Sequence, residues 1–346
     1  MIGMLLSSVE TRLANSYLFD YIVNNSFCVF LYHDVTDNAS RFCEAHKLSV
    51  PTAQFAEQVQ IIGRYFKFIT PKDVFQRSVP LQSALITFDD GLAGCFENGL
   101  HILDQRNTPS IVFMNMEPLD GPVFWSGMVD YLLQEDELFQ KASIESRQHS
   151  SQTTSTMNCD SILDCHPAQL DHYLQRRDRE DVFAKAREYY GPFATREHLA
   201  EAEKSKFSFI GNHLFNHFNA AILSDSQLTD AYLQNNQALS TYRNHLNMFS
   251  YPFGQPDSCY NKRTHRTLRS LGAEILFSAL PAINFTRNDV FYYRIAMNDA
   301  ITSDEDFRYL LIDSFLRFRY RILKNRFIWA KKEASNFISG RSKHPY

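Results

Sequence analysis

Short apolar runs recur along this chain, and stretches with helical spacing lie between several of them. No other feature constrains the fold as much. FCVFLYH (27–33), FKFIT (66–70), ALITF (84–88), SIVFMN (110–115), FSFIG (207–211), MFSYPF (248–253), AEILFSA (273–279) and FYYRIAM (291–297) are β-branched or aromatic and mostly bounded by polar or turn residues. The clearest intervening helix is SDSQLTDAYLQNNQALSTYRNHL (224–246). In it Ser224 and Gln227 form a capping box, and Leu228, Tyr232, Leu239, Tyr242 and Leu246 share one face. Strands alternating with helices argue for a parallel sheet. Seven or eight such units predict an α/β fold, a distorted (β/α) barrel of about seven units.

One segment breaks the rhythm. Residues 116–206 hold few strand signals, a polar stretch at 145–160 and a charged amphipathic helix at 176–190. They read as an insertion on a single barrel spanning 1–314. A different composition follows at 315–346, with nine Lys or Arg against one acid, Glu333, and with Phe315, Phe318, Tyr320, Phe327 and Trp329 interleaved. One reading is a helix that closes the barrel with a solvated basic face. The other is peripheral contact with an anionic membrane. The formal net charge of -4 gives no pull toward nucleic acid. Six cysteines without paired spacing, no recognisable signal peptide and no apolar run approaching 18 residues predict a reduced, cytoplasmic protein, if anything peripheral to the inner face of a membrane.

The chemistry concentrates at strand ends. In ALITFDDG the apolar run meets Asp89 and Asp90, and in a parallel barrel the strand ends and following loops form the active face. Adjacent carboxylates there suggest a divalent cation, which offsets their repulsion. After another strand, GNHLFNHFN supplies His213 and His217, four apart. Two imidazoles and one carboxylate make a triad with open positions, able to activate water. YPFG (251–254) closes a third strand with turn chemistry that can present a backbone N–H.

Together TFDDG (87–91), IGNHLFNH (210–217) and YPFG (251–254), with LYHDV (31–35), resemble in kind and order the motifs of the polysaccharide deacetylases, the NodB-homology or carbohydrate esterase 4 family. The resemblance covers roughly residues 26–300. It implies a NodB-like barrel, one divalent ion, most commonly zinc, and hydrolysis of an N-acetyl group from a carbohydrate. Carried over by position, Asp89 matches the general base, Asp90 the metal-ligating aspartate, and His213 and His217 the metal-binding histidines. Tyr251 and Phe253 fall on the substrate and oxyanion motif, with the N–H near Phe253 as oxyanion donor.

Two positions depart from the family pattern. An arginine that pairs with the base usually stands two residues before the motif proline, where this chain has Ser250. Arg294 is a candidate substitute, or an ordinary strand-end arginine. The usual late histidine acting as general acid is also missing, and His33 could donate that proton, bind substrate or be structural. The expected substrate is an N-acetylated sugar in a glycan or in a lipid- or nucleotide-linked precursor of the cell envelope. The alternatives are a degenerate barrel that binds glycan or a partner without turnover, and an amidase of the same fold acting on a non-sugar amide. Retention of Asp90, His213 and His217 disfavours the last.

Overall fold

The strands are β1 (Phe27–Tyr32), β2 (Asp34–Val35), β3 (Ser49–Val50), β4 (Lys67–Phe68), β5 (Ser83–Phe88), β6 (Ser110–Met114), β7 (Ser208–Asn212), β8 (His245–Ser250), β9 (Ile275–Ser278), β10 (Phe291–Tyr293) and β11 (Ile295–Ala296). They belong to a computed structural model that describes residues 17–120, 123–141 and 161–338, with the backbone alone at 120, 167–169 and 325–338. The main sheet runs β10-β9-β8-β7-β6-β5-β1-β11, every pairing is parallel, and β4 adds to the start of β5. β10 and β11 flank the single residue Arg294. Segment 291–296 therefore pairs with β9 through its first half and with β1 through its second, and the sheet nearly closes into a barrel.

Pleating explains why the strands are apolar throughout. Phe27 and Val29, Leu85, Ile111 and Phe113, Phe209, Met248, Ile275 and Phe277, and Tyr292 pack together from around the sheet and fill the barrel. Their alternate neighbours Cys28, Phe30 and Tyr32, Ala84, Ile86 and Phe88, and Val112 and Met114 pack outward under the helices. Both faces are buried, so the usual polar alternation disappears. The same period carries inward-facing positions past the strand ends. Asp89 follows Leu85 and Thr87, Ser250 follows Met248, and Arg294 follows Tyr292.

Some element boundaries differ from the sequence expectations. The helix after the histidine motif is Asp225–Leu239, with the Ser224–Gln227 capping box formed. Leu246 lies on β8 rather than on the helix, because the chain turns at 240–244. FKFIT yields only the two residues of β4, since Thr70 already caps the next helix, Pro71–Phe75. The short β2–β3 pair carried no sequence signal.

Residues 117–206 contribute helices Glu117–Asp120, Trp125–Glu135, Pro167–Leu174, Arg179–Tyr190 and Arg196–Ala202. The polar stretch 145–160 lies outside the described residues. Several of these helices bury a cluster of their own that includes Phe124, Met128, Leu132, Val182, Phe183 and Tyr189, and Phe42 and Cys43 of the barrel's first connection join it. The insertion is therefore packed on the barrel.

The last helix, Asp304–Ile338, begins inside the unit read as barrel and runs into the segment read as tail. Phe315 packs on Phe285 with ring centroids 5.8 Å apart, and Phe318 on Tyr293 at 4.8 Å, while Tyr320 is exposed. Two of the five aromatics thus serve barrel closure, and the side chains of Phe327 and Trp329 lie outside the described residues. Among the described residues no helix is long and apolar enough to cross a membrane.

The reading of six reduced cysteines is corrected at Cys165, which is disulfide-bonded. Cys28, Cys43, Cys95 and Cys259 are free and buried. Disulfides persist in oxidising compartments, so this bond runs against a reducing cytoplasm. Peptide mapping without reductant is expected to recover Cys165 in a cross-linked peptide and the other four as unmodified thiols. Alkylation of Cys165 in the unreduced protein would contradict this.

Candidate active site and metal centre

The interior of the barrel is apolar up to the last pleat, where it meets a buried ion pair. Arg294 is fully buried and the largest such side chain among the described residues. Its Nη1 lies 2.7 Å from Asp89 Oδ1 and its Nη2 2.6 Å from Asp89 Oδ2, a bidentate fork. Nη2 also donates to Ser250 Oγ at 2.6 Å, and that hydroxyl donates to Asp89 Oδ2 at 3.1 Å. Nε donates to Ser278 O at 3.2 Å, and the guanidinium lies over the Phe113 ring, 5.6 Å from its centroid. The serine at the motif position is small enough to admit an arginine from another strand. Burial alone would raise the Asp89 carboxyl. The Arg294 charge, then that of His213, more than offset it, and the carboxyl lies below its ordinary range.

Beyond Asp89 the backbone turns sharply. Asp90 has φ +73° and Gly91 φ +94°, both in the left-handed region. That φ favours glycine at 91, and a Cβ there would also push on the end of the Met114 side chain, 2.6 Å from its Cε. The turn separates the two aspartates. Asp89 faces Arg294, and Asp90 Oδ1 faces two imidazoles, 3.3 Å from His213 Nε2 and 3.0 Å from His217 Nε2.

The histidines follow β7 in a tight turn rather than a helix, with Leu214 at φ +62° and His217 at φ +57°. Asn235, on the helix that follows, holds this turn. Its Nδ2 donates to Met114 O and to Asn212 Oδ1, each at 2.8 Å, and its Oδ1 accepts from Met116 N at 3.0 Å. His213 Nδ1 lies 2.8 Å from Ser250 O. A carbonyl only accepts, so Nδ1 carries a proton, and in the neutral ring Nε2 presents a lone pair. His217 Nδ1 lies 2.6 Å from Ser126 Oγ, on the inserted helix Trp125–Glu135. Burial lowers the His217 pKa. Asp90 is held well below the carboxylate range because His217 and His213 outweigh its burial.

These three atoms fit a cation. The two Nε2 atoms are 3.1 Å apart, so the edges of the triangle are 3.1, 3.0 and 3.3 Å. A tetrahedral ion at about 2.0–2.1 Å from its ligands has edges of roughly 3.3–3.4 Å. Three acceptors crowded this closely in a buried site repel one another unless a cation or shared protons lie between them. Asp90, His213 and His217 also form the metal-capable group of His, Cys, Asp and Glu among the described residues.

A cavity of about 920 Å³ opens above, and its walls include Asp89, Asp90, His213, His217, Phe253 and His33. His33 stands between β1 and β2 and is half-buried. Phe253, at φ +60°, sits with its ring 4.9 Å from that of His217. Among the described residues nothing accepts its backbone N–H. Its turn is anchored because Ala279 N and Ser278 Oγ both donate to Gly254 O, at 2.9 and 2.7 Å. Tyr251 is a correction. Its ring is fully buried, stacked on Tyr260 at 4.5 Å, and its N–H is used by Phe277 O, so it presents nothing to the cavity.

Sequence reasoning missed Ser126 and the way the insertion grips the aspartate turn. Ala194 N donates to Gly91 O at 2.9 Å, and Ala93 N donates to Pro192 O at 3.0 Å. The available signal was a serine and an aspartate one turn apart, Ser126 and Asp130, in the otherwise apolar helix WSGMVDYLL.

The comparisons with known proteins agree with this geometry. A family model described as polysaccharide deacetylase matches residues 76–276, more than half of the chain. The chain belongs to that family and is a carbohydrate N-deacetylase by class. No curated protein matches it by sequence. Among solved structures, the deacetylase PplD of Streptococcus pyogenes, in complex with acetate, is 14% identical, covers 82% of this chain and 96% of its own, and superposes with a TM-score of 0.52. IcaB from Ammonifex degensii is 15% identical, with coverage of 83% and 97% and a TM-score of 0.53. A de-N-acetylase from Aggregatibacter actinomycetemcomitans is 14% identical, with coverage of 82% and 99% and a TM-score of 0.51. At these identities the likeness is one of fold.

Partners that orient metal-binding imidazoles typically contribute tenfold or more to affinity. Ser126→Ala is expected to weaken Zn²⁺ binding about 10-fold, measured by competition with a chromophoric chelator. An affinity equal to that of the unsubstituted protein would show that Ser126 does not support the site.

Proposed function

We propose that this chain hydrolyses the N-acetyl group of a sugar, in a glycan or in a lipid- or nucleotide-linked glycan precursor of the cell envelope, with one divalent ion bound by Asp90, His213 and His217. The carrying observation is the pairing of two separate units at the barrel mouth. One is a cluster of three convergent acceptors, and the other is Asp89, held ionised by Arg294 beside them. Zinc suits the nitrogen-rich donor set. When bound, it would supply Lewis acidity toward the acetamide carbonyl and lower the pKa of water.

Each remaining task falls to a residue of this chain. Asp89, not a member of the ligand triangle, takes a proton from the attacking water as general base. Arg294 and Ser250 fix the orientation of its carboxylate. The Phe253 N–H, held by a rigid turn, donates to the oxygen that gains charge as the carbonyl becomes tetrahedral. His33, on the wall of the same cavity, donates the proton that the departing amine needs. The buried insertion side chains exclude bulk water from the histidine side of the site.

Arg294→Lys is the discriminating variant. Lysine keeps the charge but loses the planar fork, so Asp89 is held less firmly and its pKa rises. Acetate release from N-acetyl sugars in the presence of Zn²⁺ is expected to fall about 100-fold in kcat. The acid limb of the pH profile should move to higher pH, because the base stays protonated further up. A full rate with an unmoved limb would reject Arg294 as the partner of the base.

The basic end of the chain supports a separate proposal, peripheral contact with an anionic membrane through 315–346. Its support is the run of nine Lys or Arg against Glu333, with Tyr320 and Leu323 exposed. Flotation with anionic vesicles at low salt is expected to retain the full chain and to lose a version ending at residue 314. Equal behaviour of the two would end this reading.

A further inference from the structure

The inserted helix Trp125–Glu135 carries a second polar contact that the hydrolytic chemistry above leaves unused. Ser126 serves His217. One turn later Asp130, 3% exposed, serves a different histidine. Asp130 Oδ2 lies 2.9 Å from His46 Nε2 and accepts the Tyr189 hydroxyl at 2.8 Å. Burial, then the hydrogen bond to Asp130, pushes the Tyr189 phenol up, so that hydroxyl stays a donor. His46 ends the helix Arg41–His46, in the connection that leaves β1, and Asp130 and Tyr189 belong to the insertion.

Both His46 and Asp130 line the cavity that holds Asp89 and Asp90. With Nε2 committed to Asp130, the Nδ1 of a half-exposed imidazole has no partner among the described residues. A buried carboxyl is costly, and neither the metal triangle nor the Asp89–Arg294 pair requires this one. The cavity, at about 920 Å³, lies near the top of the range for small-molecule sites, roughly 300–1,000 Å³, and exceeds what one amino sugar fills. On the side formed by the insertion, the walls include Gln134 and Gln140 together with Leu133 and Leu163. Amides beside small apolar surfaces suit the hydroxyls and CH faces of a sugar ring.

We propose that His46, oriented by Asp130 and Tyr189, binds a hydroxyl of a second sugar residue, next to the one that loses its acetyl group. His46 is the specificity-determining contact and Asp130 its positioning residue. The proposal rests on the deacetylase reading, so the test separates the two. Zinc-loaded protein is assayed on three substrates: 4-nitrophenyl acetate, N-acetylglucosamine and the β-1,4-linked N-acetylglucosamine tetramer. The ester reports the hydrolytic centre without any sugar contact.

His46→Ala and Asp130→Asn are expected to raise KM for the tetramer at least 10-fold. The tetramer-to-ester ratio of kcat/KM should fall by a similar factor, with Asp130→Glu recovering part of it. Equal losses on all three substrates would mean that the cluster only ties the insertion to the barrel, and would overturn the proposal. A loss confined to kcat would point to proton transfer and overturn it as well. If the unsubstituted protein hydrolyses none of the three, the deacetylase reading fails, and calorimetric binding of the tetramer then decides the remaining question. Binding at least 10-fold tighter than to His46→Ala upholds the subsite. Equal or undetectable binding rejects it.

Discussion

The barrel mouth depends on one buried ion pair, Asp89 with Arg294. Both groups are removed from water, and charges so placed are tolerated only when their hydrogen bonds are met. Here the fork satisfies both carboxylate oxygens, while Ser250 and Ser278 take further donors of the guanidinium. Arg294 also occupies the seam of the barrel, between β10 and β11. The residue that holds the base therefore ties β5, β8 and β9 to the closing segment. Removing either partner would strand the other in an apolar interior, at a cost of about 3–5 kcal/mol. Catalytic geometry and barrel closure are thus one interaction.

The acceptor triangle beside that pair is built on different terms. Asp90 faces the two imidazoles rather than an arginine, and their orientation comes partly from the barrel and partly from the insertion. The Ser250 carbonyl sets one ring and Ser126, on the insertion, sets the other. The insertion also clamps the backbone just after Asp90 through Pro192 and Ala194. It is therefore part of the site's construction, and two consecutive turns of one inserted helix reach two separate histidines of the cavity.

Much of this was legible in the order of residues. Period-2 alternation within apolar strands places Asp89 two residues past Thr87 and Arg294 two past Tyr292, and both then fall on the interior face. A DD pair before glycine, and two histidines four apart after a strand, carry their chemistry in their spacing. Glycine at 91 is legible too, since a turn that steps away from Asp89 needs positive φ. Tyr251 shows the limit of such reasoning. Its place in a motif put it near substrate, yet the same alternation that turns Ser250 inward turns Tyr251 away from the barrel.

Local spacing determined which residues could meet at the strand ends, because pleating and turn geometry act over a few residues. Only the tertiary structure decided their partners. Arg294 reaches Asp89 across 205 positions of sequence, and Ser126 reaches His217 across 91. Those distances close through barrel formation and through packing of an insertion whose own pattern reads simply as amphipathic helices. Hydrophobic burial draws such helices to an apolar surface without direction. Which polar side chain then faces which histidine depends on the docking angle, and no short stretch of sequence encodes that angle.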